Sequence, residues 1–343
     1  MTLTLKDLGW SSHFARQIST DTETLTPLRI TEVHRASLTA LGVDGIQTLI
    51  TPPDTPTGDF ATGDWVLADA QNIVQERLER LTLLSRMATH YETRTQLIAA
   101  NVDVLFITSS CNADFNPARL ERYLAMAHEA GCFPVILLTK SDLATDPTDY
   151  VHQAEALSHN LIVLAIDAHD PDDLAKVAAW CKPGQTGALL GSSGTGKSTL
   201  SNGLTANNAA TAAIRDDDAK GRHTTTNRSL RRMINGGWLI DTPGMRALPV
   251  TDVSDGIDLL FDEITTLAAT CKFNDCNHDR EPGCAVRRAI EQGALDPDRL
   301  ARWQKLRLED AHNSASLAQS RARDKALGKM IKSVKKFKGS TTP

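Results

Sequence analysis

The chain holds 343 residues, 41% apolar and 23% charged, enough for two to three domains of roughly 150 residues and too apolar for wholesale disorder. A net charge of −5 and only 5% aromatic residues exclude a globally basic nucleic-acid binder and an aromatic stacking surface, so any nucleic-acid contact must come from a local patch. From Ala285 onward there are fourteen Lys and Arg against six Asp and Glu, a net of +8 that leaves −13 for the rest. Such a split reads either as a tail facing phosphate or as a solvated end.

In chain order, a short lead-in with Leu8, Trp10 and Phe14 comes first. It lacks a basic start followed by an apolar run, so a cytoplasmic protein is expected. Short apolar runs at Leu28–Val33, Gly45–Ile50 and Trp65–Leu67, punctuated by Pro, Gly and Asp, predict β-strands. They suit a small barrel, with the OB-fold one candidate. From Asn101 strands alternate with helices: strands at Val102–Thr108, Pro134–Leu138, Leu161–Ile166, Gly187–Leu190 and Trp238–Ile240, helices after Asn116-Pro117, around Tyr150–Asn160 and around Asp172–Trp180. That alternation predicts a parallel sheet. Beyond Val250 the pattern is helical, with helices around Cys284–Gln292 and Asp298–Asp310, then a Lys-rich stretch over Arg321–Lys338. No run approaches about 18 apolar residues, so no membrane partner is expected.

Gly191-Ser192-Ser193-Gly194-Thr195-Gly196-Lys197-Ser198 fits G-x-x-x-x-G-K-[ST] between a predicted strand and a helix that begins at Thr199. The glycines let backbone N–H groups turn toward a phosphate, Lys197 brings an ammonium to it, and Ser198 offers a hydroxyl to Mg²⁺. The motif specifies a nucleoside triphosphate without specifying the base. Asp241-Thr242-Pro243-Gly244 follows a strand. Asp241 there can hold Mg²⁺ through water, and Gly244 can present its N–H to the terminal phosphate. Thr139-Lys140-Ser141-Asp142 also follows a strand. Asp142 can accept from both guanine N1–H and the 2-amino group, donors that adenine lacks, with the Lys140 stem across the base. A helix-capping Ser/Asp pair is the alternative reading. In ordinary small GTPases the phosphate loop precedes the base reader; here it follows, as circular permutation of the same sheet requires. Cys271, Cys276, His278 and Cys284 are spaced C-x4-C-x-H-x5-C, a closed set for one structural Zn²⁺. Cys111, Cys132 and Cys181 lie beside apolar segments and are expected in the core.

With these motifs, and with Leu8-Gly9-Trp10, Gly63-Asp64-Trp65-Val66, Asn112–Asn116, Gly221–Thr226 and Asp241–Arg246, the sequence resembles the circularly permuted RsgA (YjeQ) GTPases of small ribosomal subunit maturation over nearly its whole length. The resemblance implies an α/β P-loop GTPase core, circularly permuted, with an N-terminal OB-fold barrel and a C-terminal helical zinc domain. Its boundaries would be an extension over 1–24, the barrel over 25–90, the GTPase domain over 91–250, the zinc domain over 251–320 and a basic tail over 321–343. It implies a monomeric hydrolase of GTP to GDP, with the small subunit and its rRNA as partners and Mg²⁺ accompanying GTP. It makes 206–227 switch I, with Thr225 on Mg²⁺ and the γ-phosphate and Thr224 and Thr226 as alternatives. Met245 stands where Ras-like enzymes carry the water-orienting glutamine, and a thioether orients water poorly. The resemblance favours His223 in that role; RNA contact or simple packing is the other reading. The loop after Ile166, where a Ser/Ala pair is expected at the guanine carbonyl, holds Asp167-Ala168 instead.

Overall fold

A computed structural model describes residues 3–87, 95–205, 228–241 and 252–315. Two compact units divide the chain. The first comprises 1–85, 97–247 and 255–262, and the second 86–96, 248–254 and 263–343.

Within the first unit, the lead-in forms one helical turn, α1 (Ser12–Ala15), and five strands follow: β1 (Thr26–Val33), β2 (Leu38–Gly42), β3 (Gly45–Leu49), β4 (Trp65–Ala68) and β5 (Val74–Arg77). They make an antiparallel sheet in the order β3-β2-β1-β4-β5. Its outer strands meet in a parallel bridge between Ile50 and Ile73, where Ile50 N–H donates to Asn72 O and Val74 N–H to Ile50 O, both at 3.0 Å. The core is small and aliphatic: Leu28, Ile30, Leu38, Leu49 and Val66 with Phe60. β2 (Leu-Thr-Ala-Leu-Gly) is short and β5 (Val-Gln-Glu-Arg) has a single apolar residue, so neither stands out as an apolar run. The lead-in is a packed part of this unit. Trp10 meets Trp65 edge-on at 4.8 Å, Phe14 lies 5.8 Å from the same ring, and Trp238 Nε1 donates to Asp7 O at 2.7 Å.

Strands β6 (Leu83–Met87) and β7 (Thr95–Ala100) pair as a ribbon. The second sheet then begins with β8 (Val104–Ser110), α2 (Pro117–Glu129), β9 (Phe133–Thr139), α3 (Thr148–Glu155), β10 (Ile162–Ile166), α4 (Pro171–Ala178), β11 (Thr186–Gly191), α5 (Lys197–Leu204), β12 (Ser229–Arg232) and β13 (Trp238–Asp241). Its order is β10-β9-β8-β11-β13-β12. Five strands are parallel, as the alternation predicts. β12 runs antiparallel at the edge, and its Ser-Leu-Arg-Arg sequence has no strand signature. α2 starts as expected: Asn116 Oδ1 accepts from Arg119 N–H at 3.0 Å and Pro117 takes the first turn, where a missing N–H is harmless. α3 begins earlier than its pattern suggests because Asp146 Oδ1 accepts from Thr148 N–H at 2.8 Å. It ends before Asn160, whose φ of 57° turns the chain into β10. Every residue of β8 and β11 is buried, with Phe106, Leu137, Ile166, Leu189, Leu200 and Leu239 in one core.

α6 (Ser254–Leu260) follows the sheet, and its Gly256 N–H donates to Glu129 Oε2 at 3.0 Å. In the second unit come α7 (Asp262–Ala268), the cysteine segment, α8 (Ala285–Glu291) and a long helix, α9, over 297–315. Among the described residues no helix is long and apolar enough to cross a membrane.

Candidate nucleotide site and metal cluster

Because β8, β9, β10, β11 and β13 are parallel, their C-terminal ends share one sheet edge. Ser110 pairs with Thr139, Thr139 with Ile166, and Thr108 with Gly191. Connections from β8 lead to β9 on one side, while β11 lies on its other side. The strand order reverses there, and ligand crevices of open α/β sheets form at such switch points.

The phosphate loop leaves β11 at that point. A Cβ on Gly191 would stand 2.2 Å from Thr108 Oγ1 and 2.4 Å from Thr108 O, so only glycine lets the two strands close. Gly196 has a φ of +81°, a left-handed value that glycine adopts freely, and it directs the chain into α5. Thr195 is buried, and its hydroxyl is 2.9 Å from Thr108 Oγ1 and 2.9 Å from Ser192 O. Lys197 Nζ donates to Gly191 O at 2.8 Å and also to Ser192 O. The lysine thus folds over its own loop. Asp241, at the end of β13, accepts from Ser201 Oγ on α5 at 3.2 Å, one turn beyond Ser198. Both groups expected near Mg²⁺ therefore border the same helix start.

The base-reading segment is joined to this loop by Thr139. Its hydroxyl lies 3.0 Å from both Ser109 O and Thr195 O, holding the end of β9 against the phosphate loop. Lys140 then turns left-handed with φ 59°, and Ser141 and Asp142 open a short 3-10 turn with the Asp142 side exposed. At the loop after β10, Asp167 N–H donates to Asp173 Oδ2, while Asp167 Oδ1 accepts from His169 N–H, each at 2.8 Å. The extra carboxylate is turned back onto its own loop. Thr108, Arg119, whose Nη1 donates to Ser192 Oγ at 2.8 Å, and Asp173 border these loops yet carry no motif; sheet register brings Thr108 there, and the starts of α2 and α4 bring the other two. His223, Thr224, Thr225, Thr226, Gly244 and Met245 lie outside the described residues.

The segment expected to read the base thus precedes the phosphate loop in sequence and is bonded to it in space. The RsgA GTPase family model matches residues 77–251. A small ribosomal subunit biogenesis GTPase RsgA from Mesorhizobium japonicum is 54% identical, covering 90% of this chain and 91% of its own. The chain belongs to the RsgA GTPase family. A relative from Vibrio vulnificus, named small ribosomal subunit biogenesis GTPase RsgA 2, is 44% identical over 98% of this chain and 96% of its own. Among solved structures, YjeQ from Thermotoga maritima aligns with a TM-score of 0.61 at 21% identity, over 82% of this chain and 97% of that one. YloQ, a circularly permuted GTPase, aligns at 0.56 and 22%, over 89% and 98%. The fold of the core is the circularly permuted GTPase fold that these RsgA relatives share.

In the second unit, one ligand atom from each of Cys271, Cys276, His278 and Cys284 falls within 4.8 Å of all the others. Cys271 Sγ and Cys284 Sγ are 3.8 Å apart, and His278 Nδ1 is 3.6 and 3.4 Å from them. Zn–S bonds of about 2.3 Å and Zn–N bonds of about 2.0–2.1 Å imply tetrahedral edges of about 3.8 Å between sulfurs and about 3.5 Å between sulfur and nitrogen. The observed edges fit that ion, and no pair is close to the roughly 2.05 Å of a disulfide. Burial opposes ionisation of Cys271, but the Ala285 and Val286 N–H groups and the neighbouring thiols pull its thiol below the ordinary value. Burial also pushes the His278 imidazole down, toward the neutral form a ligand needs. Sequence reading missed Glu281. Its carboxylate accepts from the N–H groups of Asn277, Asp279 and Arg280 at 2.9–3.0 Å and so shapes the loop that carries His278. The other cysteines are core residues, as expected: burial pushes Cys111 up to about 11 and Cys132 and Cys181 up to about 12.

Proposed function

We propose that this GTPase is a late-acting maturation factor of the small ribosomal subunit, binding its rRNA in the triphosphate state and leaving on hydrolysis. The observation that carries this reading is the base reader bonded through Thr139 to the phosphate loop, in a chain 54% identical over nine-tenths of its length to a relative of that name. Asp142 reads guanine, with Thr139, Lys140 and Ser141 shaping the turn. Gly191 through Thr199 hold the phosphates, and Lys197 leaves its carbonyl partners to meet them. Ser198, Asp241 and Thr225 hold Mg²⁺, which neutralises charge on the phosphates when bound. Gly244 meets the terminal phosphate and His223 orients the attacking water. One structural zinc occupies the Cys271, Cys276, His278 and Cys284 set.

The domain boundaries proposed are those at 24, 90, 250 and 320, with the basic tail beyond. For the OB-fold, support comes from the strand circuit: β1-β2-β3 as a meander, β3 meeting β5 in parallel through Ile50 and Ile73, and β4 closing on β1. The protein would act as a monomer in the cytoplasm. GTP turnover by the purified chain, with and without small ribosomal subunits, tests the reading. A marked rise with subunits is expected; an unchanged rate, or ATP hydrolysed as fast as GTP, overturns it.

A further inference from the structure

Arg119 sits in the first turn of α2, where no acidic residue accompanies it. A cation there faces the positive end of the helix dipole, an unfavourable placement. No carboxylate lies within salt-bridge distance of Arg119 among the described residues; its one side-chain hydrogen bond is the 2.8 Å contact from Nη1 to Ser192 Oγ. Ser192 is the second residue of the phosphate loop, and Lys197 Nζ bonds the carbonyl of the same residue. Two cations therefore converge on one residue of the cradle, next to the N-terminus of α5 as well. Positive potential gathered in this way suits a polyanion. The guanidinium keeps further N–H donors beyond the one spent on a neutral hydroxyl, in a planar fork that matches phosphate oxygens.

We infer that Arg119 is a second cation of the triphosphate site, supplied in cis from α2 and tethered by Ser192, that acts on the terminal phosphate. The inference rests on the GTPase reading and adds to it a group that discriminates triphosphate from diphosphate. It also answers a need of this chain, since charge developing on the γ-phosphate is commonly met by an arginine and residue 245 is Met.

The experiment is titration of the full-length protein with GDP and with a non-hydrolysable GTP analogue, alongside single-turnover GTP hydrolysis, for wild type, Arg119→Ala, Arg119→Lys and Ser192→Ala. Arg119→Ala is expected to weaken the analogue about tenfold more than GDP and to slow hydrolysis. Arg119→Lys should restore part of the affinity difference, and Ser192→Ala should keep it while slowing hydrolysis less. An analogue-to-GDP affinity ratio equal to wild type in Arg119→Ala overturns the inference, because a merely structural loss would weaken both nucleotides alike. Wild-type protein that binds neither nucleotide would instead sink the GTPase reading, and a thermal midpoint measured for each variant separates misfolding from both.

Discussion

Single hydroxyls carry much of the organisation of the nucleotide site. Thr139 and Thr108 contribute one side-chain oxygen each, and both oxygens end on the phosphate loop. The base reader and the phosphate cradle are thereby fixed to each other before any ligand arrives, the preorganisation that selective binding needs. Asp142→Asn should reverse base choice: its amide presents a donor where guanine also donates and suits the xanthine carbonyl. Loss of GTP binding by at least about 10²-fold, with gain of xanthosine triphosphate, is expected from leaving buried donors unpaired, and fluorescence titration with both nucleotides would show it. The motif residues of this site were legible because phosphate chemistry demands glycines, a lysine and a hydroxyl at fixed spacing. Thr108, Asp173 and Arg119 were not, because ordinary residues acquire a role only through neighbours that the fold brings to them.

At the level of elements, two clasps hold segments too short or too polar to hold themselves. In the five-stranded sheet, Asp64 is fully buried. Its carboxylate takes two bonds from Arg80 and one from Ala61 N–H, all at 2.7 Å. Removing one partner of such a pair strands a buried charge, so Asp64→Ala should cost about 3–5 kcal/mol, read as a lowered urea midpoint by tryptophan fluorescence. In the second unit the cysteine segment has little regular structure between α7 and α8, and its shape comes from the Cys3His cluster and Glu281. Dialysed protein should retain one zinc per chain by elemental analysis. Glu281→Ala should speed zinc transfer to a chelator about 10–100-fold, the usual effect of losing a group that orients metal ligands. Strands and helices with dense apolar patterns were readable in advance. β12 and the exact span of α3 were not, since one is a polar edge strand and the other is set by a single Asp cap.

Across the first unit, the lead-in, the five-stranded sheet and the GTPase sheet are joined through Arg29, 2% exposed, which donates to Leu8 O and Thr186 Oγ1 at 2.6 Å. Burial draws its guanidinium down to about 10, still charged at neutral pH. A Cβ on Gly9 would stand 2.6 Å from Gly184 O and 2.8 Å from Arg29 Nη1, which accounts for the glycine in Leu8-Gly9-Trp10. The five-stranded sheet is tied in this way to the sheet that carries the phosphate loop. Truncation before Arg321 removes eight Lys and Arg and one Asp together with the last few residues. It is expected to weaken small-subunit binding in co-sedimentation and to flatten its salt dependence; pelleting equal to the full chain at every salt concentration would remove the tail from the interface.

The permuted strand order also sets a timetable for synthesis. β8 becomes an inner strand only when β11 arrives, yet β8, β9 and β10 leave the ribosome first, with all seven residues of β8 destined for burial. At roughly 5–20 residues per second, the nascent chain carries half a sheet with one apolar edge unpaired for several seconds, the kind of edge that recruits other strands. In an ordinary GTPase the phosphate loop is made early, before the base reader. This one completes the base-reading half before the phosphate half exists, so nucleotide cannot assist folding until β11 closes that edge.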